Sequence, residues 1–265
     1  MSMIDKYNAR VDTANSLLCI GLDSNIKRLP EQFLTMDYPQ FEFNKWIIEQ
    51  THAYVAAYKP NMAFYEARGA QGLVELQMTM DFLCEQYPDI YTICDAKRAD
   101  IGSTNDAYAS AIFDELGFDA VTLHPYLGRD AMLPFLQRSD KGCIILCRTS
   151  NSSAIEFQDL QIENRYLWEI VAERVAQEWN SNGNCMLVVG ATYPNEMKIV
   201  REIIGDMTLL VPGIGVQGGN VQQTVSAGLN RDGKGLIINS SRGIVFSENP
   251  ERAAQELRDG INLYR

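Results

Sequence analysis

Histidine is nearly missing from this chain, with His52 and His124 the two it has among 265 residues. Its six cysteines, Cys19, Cys84, Cys94, Cys143, Cys147 and Cys185, stand apart, with no Cys-x-x-Cys pair. These scarcities remove the ligand spacing of a zinc site. Cys19, Cys94, Cys143 and Cys185 sit in or beside apolar runs, where a reduced thiol packs as a small hydrophobe. Positive charge is also short: 23 Lys and Arg against 34 Asp and Glu give a net charge of -11 and a pI near 4.7. Such a balance argues against general affinity for nucleic acid or an anionic membrane, so an anionic ligand must be caught by a local concentration of donors. No apolar run approaches the roughly 18 to 20 residues of a membrane span, and Met1-Ser2-Met3-Ile4-Asp5-Lys6 lacks the apolar centre of a signal peptide. A cytoplasmic protein is expected. No Gly-x-Gly-x-x-Gly follows the first apolar run, which counts against dinucleotide binding.

What the chain does have is a regular alternation. Eight short apolar runs read as strands: Leu17 to Leu22, Ala53 to Lys59, Ile90 to Asp95, Ala120 to His124, Cys143 to Cys147, Met186 to Gly190, Thr208 to Val211 and Gly235 to Asn239. Between them lie segments with helical spacing, such as Val74, Met78, Phe82 and Leu83, or Leu167, Ile170, Val171, Val175 and Trp179. Strands apolar on both faces and separated by helices imply a parallel sheet covered by those helices. Eight such units predict an α/β protein, a (β/α)₈ TIM barrel in one domain over 1–265, with an open doubly wound sheet as the alternative. Tyr7 to Asn15 is expected to form an N-terminal helix closing the far end. Asp23 to Gln40 and Arg148 to Asn164 read as long βα connections at the catalytic end.

Polar residues gather after these runs. Asp23 follows the first, Lys59 and Asn61 the second, His124 the fourth, Thr149 and Ser150 the fifth, and Ser240, Ser241 and Arg242 the eighth. The densest group is Asp95-Ala96-Lys97-Arg98-Ala99-Asp100 after the third. Burying Asp or Lys is costly unless the charges are paired, and alternation puts Asp95 and Lys97 on one face of the emerging strand. Asp100 belongs to the next turn, either reaching back to that pair or outward to a neighbouring subunit. A solvated salt bridge accounts for any lone Asp-x-Lys. The alignment of polar residues at one rim is what favours a site.

Pro212-Gly213-Ile214-Gly215-Val216-Gln217-Gly218-Gly219 and Asn239-Ser240-Ser241-Arg242-Gly243 follow the last two runs. Glycines let backbone N–H groups approach an anion and Arg242 supplies a fork suited to phosphate, at the two loops where barrels frequently bind it. A phosphate grip beside an array of ammonium and carboxylate groups suits proton transfer and electrostatic control of a carbanion-like centre.

Taken together, Gly21-Leu22-Asp23, Tyr58-Lys59-Pro60-Asn61, Asp95-x-Lys97-x-x-Asp100-Ile101-Gly102-x-Thr104, His124-Pro125-Tyr126-Leu127-Gly128, Pro212-Gly213-Ile214-Gly215 and Ser241-Arg242-Gly243 resemble the orotidine 5'-phosphate decarboxylase family, in its longer bacterial branch. The resemblance implies a homodimeric barrel that converts orotidine 5'-phosphate to UMP and CO₂ with no cofactor and no metal. It matches Lys59, Asp95, Lys97 and Asp100 to a charged catalytic tetrad in which Lys97 protonates C6. Asp95 and Lys59 would orient Lys97 and bind ribose hydroxyls, with Asp23 also on the ribose and Asn61 beside the substrate. Asp100 and Thr104 would enter the partner's site. Ser150, among Ser150, Ser152 and Ser153, is matched to the pyrimidine, Gln217 and Arg242 to the phosphate, with backbone N–H groups of Gly218 and Gly243 assisting. Between Gly215 and Asn220 the chain has only a short stretch where some relatives carry a longer closing loop. The nearest rival is a Mg²⁺-dependent sugar-phosphate decarboxylase or hexulose-phosphate synthase. A Schiff-base aldolase using Lys97 and a non-catalytic nucleotide-binding protein stand further off.

Overall fold

The computed structural model describes residues 3–214 and 219–265. Its centre is a closed barrel of eight parallel strands. They are β1 (Leu18–Ile20), β2 (Ala57–Tyr58), β3 (Tyr91–Arg98), β4 (Ala120–Leu123), β5 (Gly142–Arg148), β6 (Cys185–Val189), β7 (Leu209–Pro212) and β8 (Leu236–Ser240). Each pairs with its neighbours in the chain, and β8 closes on β1 with Leu18 opposite Ile238 and Ile20 opposite Ser240. Every residue of β1, β4, β6 and β8 is buried, as expected when side chains fill the barrel on one face and meet helices on the other. The expected α/β barrel is therefore the observed fold.

Two strands differ from their sequence reading in ways that bear on the rim. The second run, expected to extend from Ala53, contributes only Ala57–Tyr58 as a regular strand, because His52–Tyr54 turns as a 3₁₀ helix first. Backbone bonds from Ala56 N to Leu18 O and from Lys59 N to Ile20 O carry the pairing a residue further at each end. The third runs past Asp95 to Arg98, with a register shift against β4 between Cys94 and Arg98. Lys97 lies within that irregularity at φ 49°.

The N-terminal helix, Met3–Ala14, starts earlier than the expected Tyr7 and closes the floor of the barrel. Tyr7 is fully buried, donates its hydroxyl to the carbonyl of Leu236 at the start of β8, and meets the ring of Tyr91 at the start of β3 edge-on at 5.5 Å. Lys6 pairs with Asp119 just before β4 at 2.7 Å, and Arg10 donates to the carbonyl of Val55 before β2 at 3.0 Å. One helix thus ties four strands together at the end away from the site. Cys19, Cys94, Cys143 and Cys185 are buried and reduced as expected, and so is Cys147, whereas Cys84 is exposed. Burial pushes the thiols of Cys19, Cys147 and Cys185 up to about 12, which removes them as nucleophiles at neutral pH. Among the described residues no helix is long and apolar enough to cross a membrane.

Candidate active site

Asp95 is the hub of the rim. Its Oδ1 accepts from Lys97 Nζ at 2.6 Å and from the hydroxyl of Thr122 at 2.9 Å. Its Oδ2 accepts from Lys59 Nζ at 3.0 Å and from the Asn61 amide at 3.4 Å. Burial alone would raise the Asp95 carboxyl, but the Lys59 and Lys97 ammoniums hold it well below the usual carboxylate range. Burial likewise disfavours charge on Lys59, which is 4% exposed, yet Asp95, with Asp23 beyond it, keeps that ammonium protonated above its ordinary range. The carboxylate is thus held ionised between two cations.

Backbone geometry aims the second of them. The N–H of Lys97 donates to Thr122 Oγ1 at 3.0 Å, so one hydroxyl on β4 fixes both the backbone of Lys97 and the carboxylate that its side chain meets. A lysine in the left-handed region costs on the order of 1 kcal/mol, strain of a kind that gathers at functional sites. The lysine side chain is 49% exposed, against 5% for Lys59, so its ammonium faces open space while its neighbour is fixed in the wall.

Two adjoining cavities open at this rim and share Lys59, Asp95 and Pro212. One, about 460 Å³, is walled by Leu146, Val188, Leu210 and Phe157, with Lys97, Thr122, Ser150 and Gln158 as polar contributors. The other, about 410 Å³, is polar and includes Asp23, Asn61, Arg28, Ser241, Arg242 and Gly243. An apolar slot beside a polar trough suits a flat heterocycle joined to a hydroxylated, anionic tail. In the trough wall, Asp23 Oδ1 is buried with no hydrogen-bond donor among the described residues, an acceptor suited to a hydroxyl.

Glycines shape both cavities by close approach. A Cβ on Gly190, just after β6, would lie 2.8 Å from Ser150 Cβ and 3.0 Å from its Cα, so Ser150 sits where it does because residue 190 has no side chain. Gln158 then anchors the same turn, accepting from Thr149 N at 2.9 Å and donating to Thr149 Oγ1 at 2.8 Å. Behind it the Arg148 guanidinium, almost fully buried, reaches Asp159 at 3.2 Å and lies 4.0 Å over the ring of Tyr193.

Of the sequence-derived candidates, Lys59, Asn61, Asp95, Lys97 and Ser150 meet around the shared wall, and Asp23, Arg242 and Gly243 line the trough. Ser150 and Ser153 line the apolar cavity, whereas Ser152 does not. Asp100 and Thr104 line neither cavity: the Asp100 carboxylate caps the N–H of Ile101 at 2.7 Å, and Thr104 is exposed at the start of the helix Ser103–Ser110. His124 also lines neither. Gln217 and Gly218 lie outside the described residues. Sequence reading passed over Thr122, Asn239, Gln158 and Arg28. The first two had a signal, a polar residue inside an otherwise apolar strand. Gln158 ends the helical turn Ile155–Gln158 and Arg28 the 3₁₀ turn Ile26–Arg28, both inside the two long connections expected at the catalytic end, where nothing local singled out either residue.

Known proteins resemble this chain over its full length. Residues 16–257 match the model of the orotidine 5'-phosphate decarboxylase / HUMPS family. The chain is 47% identical to orotidine 5'-phosphate decarboxylase of Cellvibrio japonicus and 46% identical to that of Dechloromonas aromatica, with all of both chains covered in each case. Among solved structures it is similar to Leishmania donovani OMP decarboxylase, with TM-score 0.89 and 41% identity, covering 100% of this chain and 98% of that one. A putative orotidine-monophosphate-decarboxylase from Toxoplasma gondii gives TM-score 0.91 and 38% identity, covering 98% and 96%.

Proposed function

This chain belongs to the orotidine 5'-phosphate decarboxylase / HUMPS family, and from that membership we propose that it decarboxylates orotidine 5'-phosphate to UMP and CO₂ as a cytoplasmic step of pyrimidine nucleotide synthesis, the whole chain acting as one barrel domain. The observation that carries the reading is the Lys59–Asp95–Lys97 array at the junction of an apolar slot and a polar trough. The pyrimidine enters the slot beside Ser150. The ribose hydroxyls meet Asp23, Lys59 and Asp95, with Asn61 alongside, and the phosphate reaches Arg242 and the N–H of Gly243, with Gln217 and Gly218 assigned to the same phosphate by family resemblance.

Loss of CO₂ from C6 breaks the C–C bond and leaves its electron pair in an in-plane orbital that the ring does not delocalise, so an electron-sink cofactor would have nothing to accept. Fixed charge must do the work. The Lys97 ammonium stabilises the developing pair and then delivers its proton to C6, ending as a neutral amine that is reprotonated from solvent. Asp95 keeps that ammonium charged and aimed, and Lys59 keeps Asp95 ionised. Grip on the remote phosphate holds the base in register with Lys97.

Asp100 and Thr104, which line neither cavity of their own chain, are assigned to the site of a second copy in a homodimer. The exposed Ile101 between them, and the exposed Tyr126 and Leu127 in the loop after the neighbouring strand β4, suit burial against such a copy. The Mg²⁺-dependent alternative fits the donor set less well, because both oxygens of Asp95 already face ammonium, amide or hydroxyl donors. An assay following loss of orotidine 5'-phosphate absorbance, with and without EDTA, tests the reading. Turnover unaffected by chelation is expected; absence of turnover, or its abolition by EDTA and return with Mg²⁺, would overturn it.

A further inference from the structure

Arg28 stands on the 3₁₀ turn Ile26–Arg28 in the loop after β1. That loop is pressed against the one carrying Arg242. Gly21 N–H donates to Ser240 O at 3.0 Å, and a Cβ on Gly21 would fall 1.9 Å from Ser241 Oγ. Arg28 consequently lines the same trough as Ser241, Arg242 and Gly243. Its guanidinium lies 4.4 Å over the ring of Phe246, which stacks in turn on Phe43 at 5.6 Å. The side chain is therefore held at the trough by a ring, and the N–H groups of its fork meet no partner among the described residues.

That openness is unusual in this chain. Arg68, Arg98, Arg138 and Arg148 are engaged by Glu75, Glu66, Asp114 and Asp159. Arg28 and Arg242 have neither a carboxylate nor a carbonyl partner among the described residues, and they face one cavity. In a protein of net charge -11, two unneutralised guanidiniums at one cavity repel each other and are reconciled by a shared anion.

Resting on the nucleotide reading above, we propose that Arg28 is a second phosphate-binding residue, gripping the nucleotide's phosphate dianion from the β1 loop while Arg242 grips it from the β8 loop. A guanidinium that merely covers Phe246 would contribute packing alone, and Arg28→Met separates the two roles. Methionine keeps an unbranched apolar stem over the ring and removes the charge. Binding of UMP and of uridine to the full-length protein is measured by titration calorimetry at low and at high salt. The expected result is roughly tenfold weaker UMP binding in R28M at low salt, a smaller deficit at high salt, unchanged uridine binding, and partial recovery in Arg28→Lys. Equal UMP affinity in R28M and the parent would overturn the proposal, as would equal weakening of UMP and uridine. A parent protein that binds no UMP would instead overturn the nucleotide reading on which it rests.

Discussion

Replacing Lys97 by methionine separates chemistry from architecture at this site. Its side chain is half exposed, and its pair with Asp95 is of the kind worth about 0 to 1 kcal/mol. Asp95 retains Lys59, Asn61 and Thr122 after the change, so its charge stays compensated. The fold should hardly notice. The reaction should, because general-acid catalysis contributes about 10²–10⁴-fold and a fixed charge at the reacting centre a further factor. A fall in kcat of at least about 10³-fold, roughly 4 kcal/mol of barrier, is expected, with UMP still bound. Lys59→Met is the contrasting perturbation. Lys59 is buried in the wall, and stripping one partner from a buried pair costs about 3–5 kcal/mol. At roughly 2–4 °C per kcal/mol for a chain near this size, the melting temperature should drop by about 6–20 °C. Initial rates from substrate absorbance, UMP titration and thermal melts on both variants provide the comparison. The reasoning fails if K97M turns over within tenfold of the parent, or if it melts as low as K59M.

Further outcomes follow from the same geometry. Asp95 has its proton affinity depressed by folding, so its stabilising contribution is complete above the ordinary carboxylate pKa of about 4 and drains away as pH falls below it. Asp95→Asn should therefore flatten the acid limb of stability against pH in chemical denaturation, and an unchanged limb would contradict the assignment. Gly190→Ala drives a methyl into the backbone of Ser150, at a cost of about 1–3 kcal/mol, and should weaken pyrimidine-dependent binding more than binding of ribose 5-phosphate. Mixing inactive Lys97→Ala and Asp100→Asn chains should restore roughly a quarter of the sites in a randomly exchanged dimer, because one site of each mixed dimer is intact. No recovery would remove Asp100 from the partner's site.

The barrel was legible because its strands are apolar on both faces and its helices amphipathic, so period and length alone separated them. Lys59, Asp95 and Arg242 were legible because charge at the end of an apolar run is expensive unless used. Thr122 was hidden for the opposite reason: a single hydroxyl in Ala120–Leu123 is an inexpensive intruder, and its importance lies in what it touches across the sheet. The backbone of Lys97 was illegible too. Simple alternation predicts that Asp95 and Lys97 share a face, but the strand there is not regular: the register shift against β4 and the positive φ at Lys97 have no signature in the local sequence. Arg28 needed the closure of β8 on β1 before its nearness to Arg242 had any meaning.

The left-handed backbone at residue 97 has an evolutionary edge. Glycine or asparagine would rest there more comfortably than lysine. A laboratory campaign that rewarded endurance to heat alone would drift toward those residues and harvest sturdier, inert barrels. On the proposed role of Lys97, the ammonium at that awkward bend exchanges some stability for turnover, and any programme to harden this protein should freeze position 97 first.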